Sequence, residues 1–569
     1  MTRPAVWAPF PKQVELELEE GRTPLGAGED GWRRASESLS PGTDYKFRLE
    51  GADPALPDPR SPCQPGGVHG WSRTLDHAAF PWTNGGWRGF DLRSAVIYEL
   101  HVGTFSPEGT FTGVAERLDH LVELGVNVVE LMPVAEFAGS RGWGYDGVDL
   151  YAPHHAYGGP EGLKRLVDAC HARGLGVVLD VVYNHLGPEG NYLERYGPYF
   201  TDRYSTPWGK AVNFDGPGSD EVRGFFFDNA LMWLRDYHFD GLRLDAVHAI
   251  LDTSAVHFLE ELQLRVEALA AELRRPLRLI AESAANDPRL VWERARGGYG
   301  LAATWSDDLH HALHAVLTGE RTGYYCDYGS LRDVALALRR AYVYAGRYSN
   351  FRRKTYGRPP VGVEGERFLA YIQNHDQVGN RARGERISQL VGSGRVKIAA
   401  ALVLTSPFVP LIFMGEEWAA STPFPFFASH TDRGVAEAAT RGRRREFAAF
   451  GWKPEDVPDP MDPATFGSAT LRWAELAQGQ HRDVHDFYRR LIHLRRREPA
   501  LCAGDMAAVQ VDADDERGRL TVRRGPFAIA CNLGRSAFDP GLDGEVLLAS
   551  EPAASGRALP ADAVVIVRA

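Results

Sequence analysis

Four short motifs place carboxylates and histidines directly after apolar segments of the chain. They are residues 180–185 (DVVYNH), 241–245 (GLRLD), 279–283 (LIAES) and 373–377 (QNHDQ). In a (β/α)8 barrel, the residues just past the carboxyl end of each strand face one shared cavity, so groups far apart in sequence converge on one substrate. The four motifs, in this order, predict an enzyme that acts on a carbohydrate.

The carboxylates of these motifs are the groups that glycoside hydrolysis with retention of configuration requires. That reaction needs a nucleophilic carboxylate and a carboxylic acid of raised pKa, roughly 5–5.5 Å apart. Asp245 and Glu282, at the ends of adjacent predicted strands, could satisfy this spacing. Asp376 could hydrogen-bond sugar hydroxyls. Arg243, two residues before Asp245, would point to the same face and keep that carboxylate ionised.

Three histidines accompany the carboxylates. His185 and His375 are candidate donors to sugar hydroxyls, whereas His248 could equally contact the substrate or cap the following helix. A single Asp at a strand end is more often a helix cap or loop hydrogen-bonder than a catalytic group. Capping does not explain four such motifs in this order, so the catalytic interpretation is favoured.

Strands and helices alternate through the middle of the chain, which indicates a parallel sheet. The predicted strands are residues 96–104, 126–134, 176–184, 241–246, 277–282, 303–307, 368–374 and 408–415. Between the first two, Val114, Leu118, Leu121 and Val122 follow a helical spacing that would pack one face on the sheet. Eight strands with intervening helices predict a closed (β/α)8 TIM barrel, which is an α/β fold.

Shorter alternating strands lie on both sides of this barrel. We predict an N-terminal β-sandwich module over residues 1–90, the barrel over 91–502 and a C-terminal β domain over 503–569. Two long insertions, at about 186–220 and 417–475, follow the third and eighth strands. Insertions at the carboxyl ends of barrel strands usually shape the pocket.

Composition narrows the class of protein without identifying the reaction. The net charge of −11 over 569 residues argues against a nucleic-acid partner. The five cysteines show no C-x-x-C spacing, so neither a disulfide framework nor a zinc site is indicated. The arginines at 441, 443, 444 and 445 and at 495–497 are expected on exposed helix faces. With no signal peptide and no membrane span, the sequence predicts a soluble cytoplasmic protein.

From about residue 96 to 499, the four motifs resemble the α-amylase superfamily of retaining α-glucan enzymes, glycoside hydrolase family 13. The resemblance implies that Asp245 is the nucleophile, Glu282 the general acid/base and Asp376 the stabiliser of the transition state. Tyr145 in residues 143–147 (WGYDG) matches the superfamily tyrosine that stacks on the sugar bearing the cleaved bond. The remaining substrate-binding candidates in these motifs are Trp143, Asp146, Arg243 and Gln377.

A narrower similarity is to the maltooligosyltrehalose trehalohydrolase family within that superfamily. It rests on residues 98–105 (YELHVGTF), 281–283 with 286–288 (AES, NDP), 305–311 (WSDDLHH) and 323–325 (GYY). It implies hydrolysis of the α-1,4 bond next to a terminal trehalose unit. The candidates for gripping that trehalose are Trp305, Asp307, Asp308, His310 and Tyr325. Ala284 and Ala285 replace a more polar pair, so substrate contacts are not expected there.

Two other functions remain open from the sequence. A glycogen branching or debranching enzyme would share the N-terminal module and the three carboxylates, although residues 305–311 argue against it. A non-catalytic α-glucan-binding protein would lose at least one carboxylate, and all three are present. We expect maltooligosyltrehalose or a related α-glucan oligosaccharide as substrate. No cofactor and no metal are expected, because no cluster of oxygen ligands stands out.

Overall fold

The computed structural model describes residues 2–51, 53–448, 452–552 and 558–568. Eight parallel strands form a closed barrel in which the eighth strand pairs with the first. In order, these strands are Ile97–Leu100, Val128–Leu131, Gly176–Val181, Gly241–Leu244, Arg278–Ala281, Ala303–Trp305, Phe368–Ala370 and Val409–Phe413. Each lies inside one of the eight predicted segments, so the predicted TIM barrel is confirmed.

The barrel strands are buried on both faces, which explains their nearly continuous apolar sequences. All six residues of the third strand are buried, for example. The interior nevertheless contains charged groups: Glu99, Glu130, Asp180 and Arg243 are each at most 2% exposed. Because a barrel interior is normally filled by branched apolar side chains, these charges indicate that this part of the barrel supports a polar site.

The strands are shorter than predicted at their carboxyl ends, where the polar motifs begin. The sixth strand ends at Trp305, and Asp307 starts the helix Asp307–Thr318. The seventh strand ends at Ala370, and the Asn374 side chain accepts hydrogen bonds from the backbone N–H groups of Asp376 and Gln377. The Asn374 side chain thus satisfies two backbone donors at the start of helix His375–Gly379, where the extended conformation has ended.

Helices connect most of the barrel strands and cover the barrel. They are Val102–Phe105, Phe111–Ala115, Leu118–Leu124, Gly159–Ala172, Leu193–Tyr196, Ser219–Asp236, Phe258–Leu273, Asp307–Thr318, Leu331–Arg340, His375–Gly379, Ile387–Leu390, Ser393–Leu404, Arg433–Ala448, Pro463–Ala469 and Gly479–Arg497. No helix among the described residues has the length and apolarity needed to cross a membrane.

One predicted helix face differs from the structure. Val114, Leu118 and Leu121 are fully buried, but Val122 is 39% exposed. The predicted helix is divided into two, and Val122 follows Leu121 directly, about 100° further around the second helix. The expectation that Val122 packs on the sheet was therefore wrong.

The arginine cluster at residues 495–497 also differs from the prediction. Arg495 is only 1% exposed, and its guanidinium donates hydrogen bonds to the carbonyl oxygens of Leu404, Ser406 and Phe408. These carbonyls lie at the end of helix Ser393–Leu404 and at the start of the eighth strand. Arg495 is thus a buried cap for backbone acceptors rather than part of an exposed helix face.

Antiparallel sheets lie on both sides of the barrel in sequence. The N-terminal strands form two sheets, Gly21–Pro24, Val14–Leu18, Asp44–Leu49 and Ser72–Arg73, and Ala5–Trp7, Trp32–Arg34 and Gly26–Ala27. The C-terminal strands form one sheet, Gln510–Asp514, Arg519–Arg524, Phe527–Asn532, Ala563–Arg568 and Glu545–Ala549. The predicted β modules are present, while their boundaries at residues 90 and 502 stay predictions.

The remaining strands lie in loops near the carboxyl end of the barrel. They form the pairs Ala135–Glu136 with Asp149–Pro153, Phe200–Thr206 with Gly209–Val212, and Arg347–Ser349 with Lys354–Tyr356. The second pair belongs to the predicted insertion at 186–220. Helices Arg433–Ala448 and Pro463–Ala469 belong to the predicted insertion at 417–475, of which residues 449–451 lie outside the described residues.

Candidate active site

A cavity of about 590 Å³ lies at the carboxyl ends of the barrel strands. Its lining brings together three carboxylates from three different strand ends, Asp245, Glu282 and Asp376. Nine further residues predicted from the sequence also line it: Trp143, Tyr145, Asp146, His185, His248, Trp305, Asp307, His375 and Gln377. Large cavities with convergent polar groups are the usual place for a substrate.

Asp245 directly follows the fourth strand, and its carboxylate is held on both oxygens. Arg243 Nη1 lies 2.7 Å from Oδ1, and the Asn184 amide donates to Oδ2 at 2.8 Å. Burial alone would raise the pKa of Asp245, but the charge of Arg243, the nearby His185 and these hydrogen bonds outweigh it and lower the pKa. Asp245 is therefore ionised at neutral pH, as a nucleophile must be.

Glu282 directly follows the fifth strand, which pairs in parallel with the fourth. The register Leu244 to Ala281 places Glu282 beside Asp245. Glu282 Oε2 accepts a hydrogen bond of 2.7 Å from the backbone N–H of Ala246. Burial raises the pKa of Glu282 to about 8, and the Asp245 charge adds to this against the opposing charge of Arg243. Two neighbouring carboxyl groups thus differ in protonation, which separates an acid from a nucleophile.

Asp376 lies in the first turn of the short helix His375–Gly379. Its side chain is 49% exposed within the open cavity. The neighbouring Asn380 amide lies 3.4 Å from its Oδ1, and His375 Nε2 lies 3.8 Å from the same oxygen. Of Asp245, Glu282 and Asp376, Asp376 therefore has the most room to accept hydrogen bonds from a ligand.

A chain of buried hydrogen bonds connects the floor of the cavity to the barrel interior. The hydroxyl of Tyr145 donates to Asp180 at 2.6 Å and lies 2.7 Å from His375 Nε2. On its other side, His375 Nδ1 pairs with Glu99. Burial opposes protonation of His375, but the Glu99 charge outweighs it and raises the pKa to about 9. A protonated His375 donates on both ring nitrogens and fixes the Tyr145 ring.

Arg243 lies beneath the cavity instead of lining it, so the expected contact between Arg243 and the sugar is corrected. Its side chain is fully buried, with Nη1 2.9 Å from both carboxylate oxygens of Asp180. The guanidinium lies 4.4 Å from the centroid of the Trp305 ring, a cation–π contact. Arg243 therefore contacts Asp245, Asp180 and Trp305 from below the cavity.

Asp308 was expected to contact trehalose, but the structure buries it behind the cavity wall. Its carboxylate accepts hydrogen bonds from the Asn286 amide, the Tyr328 hydroxyl and the backbone N–H groups of Val343 and Tyr344. Because protein groups already donate four hydrogen bonds to this carboxylate, Asp308 does not contact a sugar directly. Asp308 joins the segments that follow the fifth and sixth strands, and the expectation is corrected accordingly.

His310 and Tyr325 are buried with Asp308, so their expected sugar contacts are corrected as well. His310 is 1% exposed and Tyr325 5% exposed. The two side chains bond to each other, with His310 Nε2 2.9 Å from the Tyr325 hydroxyl, and His310 Nδ1 donates to the carbonyl oxygen of Ile372. His310 thus connects the helix Asp307–Thr318 to the segment after the seventh strand and to the turn that contains Tyr325.

Trp305 and Asp307 do line the cavity, on the side of the sixth strand. Asp307 Oδ1 accepts hydrogen bonds from the Tyr371 hydroxyl at 2.5 Å and from Gln377 Nε2 at 3.3 Å. Of the five residues predicted to contact trehalose, Trp305 and Asp307 line the cavity. Gln377 lines the cavity beside them.

The Tyr145 side of the cavity is built from aromatic and histidine rings. Trp143 is stacked on Phe424 with centroids 5.2 Å apart, and its indole N–H donates to the carbonyl oxygen of Pro425. Both ring nitrogens of His185 are engaged by protein atoms, Asn184 Oδ1 and the Tyr145 carbonyl oxygen. One face of the His185 ring is stacked on Trp208, with centroids 4.9 Å apart. His248 is exposed in the cavity rather than capping a helix.

Several cavity residues were not predicted from the sequence, and five of them lie in the two predicted insertions. They are Trp208, Ala284, His311, Tyr324, Arg352, Asn374, Asn380, Phe426, Ala439, Arg443 and Glu446. His311, Tyr324 and Asn374 lie within the motifs 305–311, 323–325 and 373–377, so those motifs could have identified them. Ala284 lines the cavity although no contact was expected there. Trp208, Arg352 and Arg443 carry no local pattern that would single them out.

Arg443 corrects the expectation that residues 441–445 form a simple exposed face. Its side chain is 11% exposed, compared with 63% for Arg441. It donates hydrogen bonds to the carbonyl oxygen of Gly379 and to Asn380 Oδ1, and it lies 4.6 Å from the ring centroid of Phe447. It therefore fastens helix Arg433–Ala448 to the turn that follows Asp376.

One possible group of metal ligands occurs among the described residues, outside the cavity. Glu136, His154 and His155 offer ligand atoms that all lie within 4.8 Å of one another. However, the backbone N–H of Ala156 donates to His154 Nδ1 at 3.1 Å. The proton of the neutral ring then lies on Nε2, which leaves no lone pair there for a metal. The expectation of no metal stays a prediction.

Comparison with family models identifies two parts of the chain. Residues 75–206 match the model described as alpha amylase, catalytic domain. Residues 505–566 match a domain of unknown function, DUF3459.

Comparison with individual proteins extends over nearly the whole chain. Proteins named malto-oligosyltrehalose trehalohydrolase are 53% identical in Arthrobacter ramosus and 49% identical in Mycobacterium tuberculosis. The alignments cover 93% of this chain and 92% of the Arthrobacter protein, and 96% and 95% respectively for the Mycobacterium protein. A 1,4-alpha-glucan branching enzyme of Xanthomonas oryzae is 27% identical, over 74% of this chain and 60% of its own.

Solved structures share the architecture. A Salmonella typhimurium protein assigned to the alpha amylases is 38% identical, with a TM-score of 0.92 covering 100% of this chain and 97% of the other. A pullulanase from Paenibacillus barengoltzii, 20% identical, has a TM-score of 0.71 and coverages of 100% and 93%. The second likeness shows the fold alone.

Proposed function

The chain belongs to the malto-oligosyltrehalose trehalohydrolase family, and we propose that it hydrolyses the α-1,4-glucosidic bond next to the terminal trehalose of maltooligosyltrehalose. The products are trehalose and a shorter maltooligosaccharide. The observation that carries the proposal is the pairing of an ionised Asp245 with a protonated Glu282 at adjacent strand ends in one cavity. The identity of 44–53% to relatives of that name supplies the substrate class.

The proposed first step transfers the glucan to the protein. Glu282 donates its proton to the oxygen of the bond being cleaved, while the Asp245 carboxylate attacks the anomeric carbon and the trehalose unit departs. In the second step, the ionised Glu282 accepts a proton from water, and the resulting hydroxide equivalent displaces Asp245 from that carbon. Two inversions at one carbon leave the α configuration unchanged.

The residues around this pair are proposed to position the sugar. Asp376 accepts hydrogen bonds from sugar hydroxyls because its carboxylate is open to the cavity. Tyr145, held by Asp180 and His375, presents its ring to the apolar face of the sugar whose bond is cleaved. Arg243 holds Asp245 ionised and oriented without touching the substrate.

The trehalose unit is proposed to lie on the side of the sixth strand. Trp305 offers a ring face and Asp307 offers acceptor oxygens there. Arg352, from the hairpin Arg347–Tyr356, also lines this side and supplies donors. A site of this kind penalises a ligand that leaves its buried polar groups unpaired.

The cysteines support a proposal about location. All five are free thiols, which is the usual state of cysteines in a reducing compartment. We propose that the enzyme works in the cytoplasm on oligosaccharides, without a nucleic-acid or membrane partner.

The test of this function is a comparison of two substrates of equal length. Specificity constants are measured for maltopentaosyltrehalose and maltoheptaose, with trehalose release followed by chromatography. We expect a higher constant for the trehalose substrate, and we expect Asp307→Asn to reduce that preference by about 5- to 150-fold, the equivalent of roughly 1–3 kcal/mol for an unpaired buried group. Asp245→Asn is the inactive control. Equal constants for the two substrates in the wild type would refute the proposal in favour of a general α-glucan hydrolase.

A further inference from the structure

The barrel interior contains a layer of charged side chains below the cavity. Val178 belongs to an apolar cluster that joins strands on opposite sides of the barrel, so its side chain faces inward. Val178 pairs with Glu130 on the second strand. Asp180, two residues after Val178, pairs with Arg243 on the fourth strand. Because alternate residues of a strand point to the same face, Glu130, Asp180 and Arg243 also face inward.

Glu130 differs from the other carboxylates of this layer because it has no protein partner. Glu99, its neighbour on the first strand, accepts a hydrogen bond from the backbone N–H of His375 and pairs with Nδ1 of the same residue. Glu130 is 1% exposed, and neither of its carboxyl oxygens has a hydrogen-bond partner in the part of the chain that the structure describes. Buried carboxyl groups normally have such partners, so Glu130 needs another polar neighbour.

Arg243 also has unused hydrogen-bonding atoms in this layer. Its Nη1 contacts Asp180 and Asp245, but Nε and Nη2 have no hydrogen-bond partner among the described residues. Glu282 lies 3.8 Å from Nη2, at an ion-pair distance only. The indole Nε1 of Trp305, whose ring lies against the guanidinium, is unpartnered as well. Unused donors and unused acceptors therefore occur together inside the barrel.

The surroundings of Glu130 favour its neutral form. Burial, followed by the charge of Glu99, raises the pKa of Glu130 well above its usual range, against the opposing charges of Arg243 and His375. The charge of Asp180 adds to the increase. A neutral carboxyl group offers one O–H donor and one carbonyl acceptor. Glu130 can therefore hydrogen-bond without competing with Asp245 for the charge of Arg243.

Resting on the proposed function, in which Asp245 is the nucleophile, we propose that Glu130 is a positioning residue of the active site. An enclosed water molecule accepts a hydrogen bond from an unused N–H group of Arg243 and bonds to the Glu130 carboxyl group. This bridge fixes the guanidinium against Asp245. Enclosed waters typically make about three hydrogen bonds to buried groups that lack other partners, and Glu130, Arg243 and Trp305 supply such groups here.

The first test compares two replacements of Glu130 that have similar size. Glu130→Gln keeps a neutral hydrogen-bonding group, whereas Glu130→Leu removes it. A less firmly held Arg243 would lower the pKa of Asp245 less, so the fall in activity at acid pH should move to higher pH. In the pH profile of the specificity constant, we expect an upward shift of about 0.4–1 pH unit for Glu130→Leu, the equivalent of one hydrogen bond, and no shift for Glu130→Gln.

Val128→Ala is the matched control for a purely structural effect. Val128 lies two residues before Glu130 on the same strand and belongs to the apolar cluster of the barrel interior. Its truncation should lower the free energy of unfolding without moving the pH profile. No shift in Glu130→Leu, or the same shift in Glu130→Gln or Val128→Ala, would overturn the proposal.

The profiles are recorded on maltopentaosyltrehalose and on maltoheptaose. The shift concerns Asp245 and should appear with any substrate that is cleaved, so it does not depend on a preference for trehalose. The variants change none of the titratable or charged groups that act on Asp245, which are Tyr145, Asp180, His185, Arg243, His248, Glu282 and Asp376.

The second test observes the water bridge without any substrate. High-resolution crystal structures of the wild type and of both Glu130 variants are compared. We expect an ordered water within hydrogen-bond distance of Glu130 and Arg243 in the wild type, its retention in Glu130→Gln and its loss in Glu130→Leu. A wild-type barrel interior without such a water would refute the bridge, whatever the enzyme cleaves.

Discussion

At the scale of single residues, the two central carboxyl groups differ because their neighbours differ. Asp245 is contacted by a fully buried guanidinium and an amide, whereas Glu282 receives one backbone N–H and lies 3.8 Å from Arg243 Nη2. Burial raises the pKa of both groups, but at Asp245 the charge of Arg243 and the hydrogen bonds outweigh it and lower the pKa, whereas at Glu282 the pKa stays raised. One protonated and one ionised carboxyl group are what the two-step mechanism requires.

The pH dependence of the specificity constant follows from this difference. Glu282 must be protonated for the first step, so activity should fall as the pH rises above about 8. Asp245 must be ionised, so activity should fall only in acid, below its usual titration range. We therefore expect a plateau between these limits in kinetics on maltooligosyltrehalose.

Glu282→Gln is the matched control for the expected fall in activity at alkaline pH. With an α-glycosyl fluoride, whose leaving group needs no proton, the first step should survive and the alkaline limb should vanish from the burst of fluoride release. An alkaline limb that persisted in this variant would instead belong to His375, whose pKa is raised to about 9.

The catalytic carboxylates could be predicted from the sequence, but the contacts of their neighbours could not. All three predicted carboxylates line the cavity: Asp245 and Glu282 directly follow strand ends, and Asp376 lies in the short helix after the seventh strand. The apolar run before each of them reveals this position. Asp307 and Asp308 are adjacent and chemically identical, yet one lines the cavity and the other accepts four hydrogen bonds behind it. Adjacent helical residues point about 100° apart, and only the packed structure decides which of the two directions meets the substrate.

At the scale of elements, the loops beyond the strands determine the shape of the cavity. The strands themselves were predictable from buried apolar segments, but the inward reach of Trp208 and Arg443 was not. Their positions depend on a hairpin and a helix that pack back over the barrel. Sequence patterns report local periodicity, whereas such contacts join residues far apart in the chain.

Close packing between two such elements gives a prediction about Gly379. A Cβ atom at this position would overlap the ring of Trp143, which is 5% exposed and stacked on Phe424. Gly379→Ala should therefore lower the free energy of unfolding by about 1–3 kcal/mol and reduce the specificity constant. Gly224→Ala, in helix Ser219–Asp236 with no atom within 4 Å of the added methyl, should stabilise by about 0.5–1 kcal/mol. Denaturant unfolding and kinetics measure both, and equal behaviour of the two variants would refute the packing argument.

The helix Arg433–Ala448 gives a second prediction at this scale. Arg443→Ala removes hydrogen bonds to Gly379 and Asn380, which follow Asp376. Because hydrogen bonds to charged groups contribute about 1.5–3 kcal/mol, the specificity constant should fall about tenfold or more. Arg444→Ala, an exposed neighbour, is the control and should match the wild type. If the two variants had the same kinetics in steady-state assays, the hydrogen bonds of Arg443 to Gly379 and Asn380 would not position Asp376.

At the scale of the whole molecule, the barrel and the C-terminal sheet are joined by buried polar contacts. Lys397 is 1% exposed and reaches Asp483 and the carbonyl oxygen of Ser550, while Arg524 donates to the carbonyl oxygens of Thr405 and Leu501. The modules on both sides of the barrel were predictable from alternating strands. Their attachment was not, because single charged side chains such as Lys397 give no sequence signal of burial.

The central claim is that the whole molecule releases trehalose with retention of configuration. The most direct measurement is a proton NMR time course of maltopentaosyltrehalose hydrolysis, recorded before mutarotation mixes the anomers. We expect trehalose and maltopentaose to appear in equal amounts and the new reducing end to appear first as the α anomer. A reducing end that appeared first as the β anomer, or reducing sugars formed without trehalose, would contradict the account.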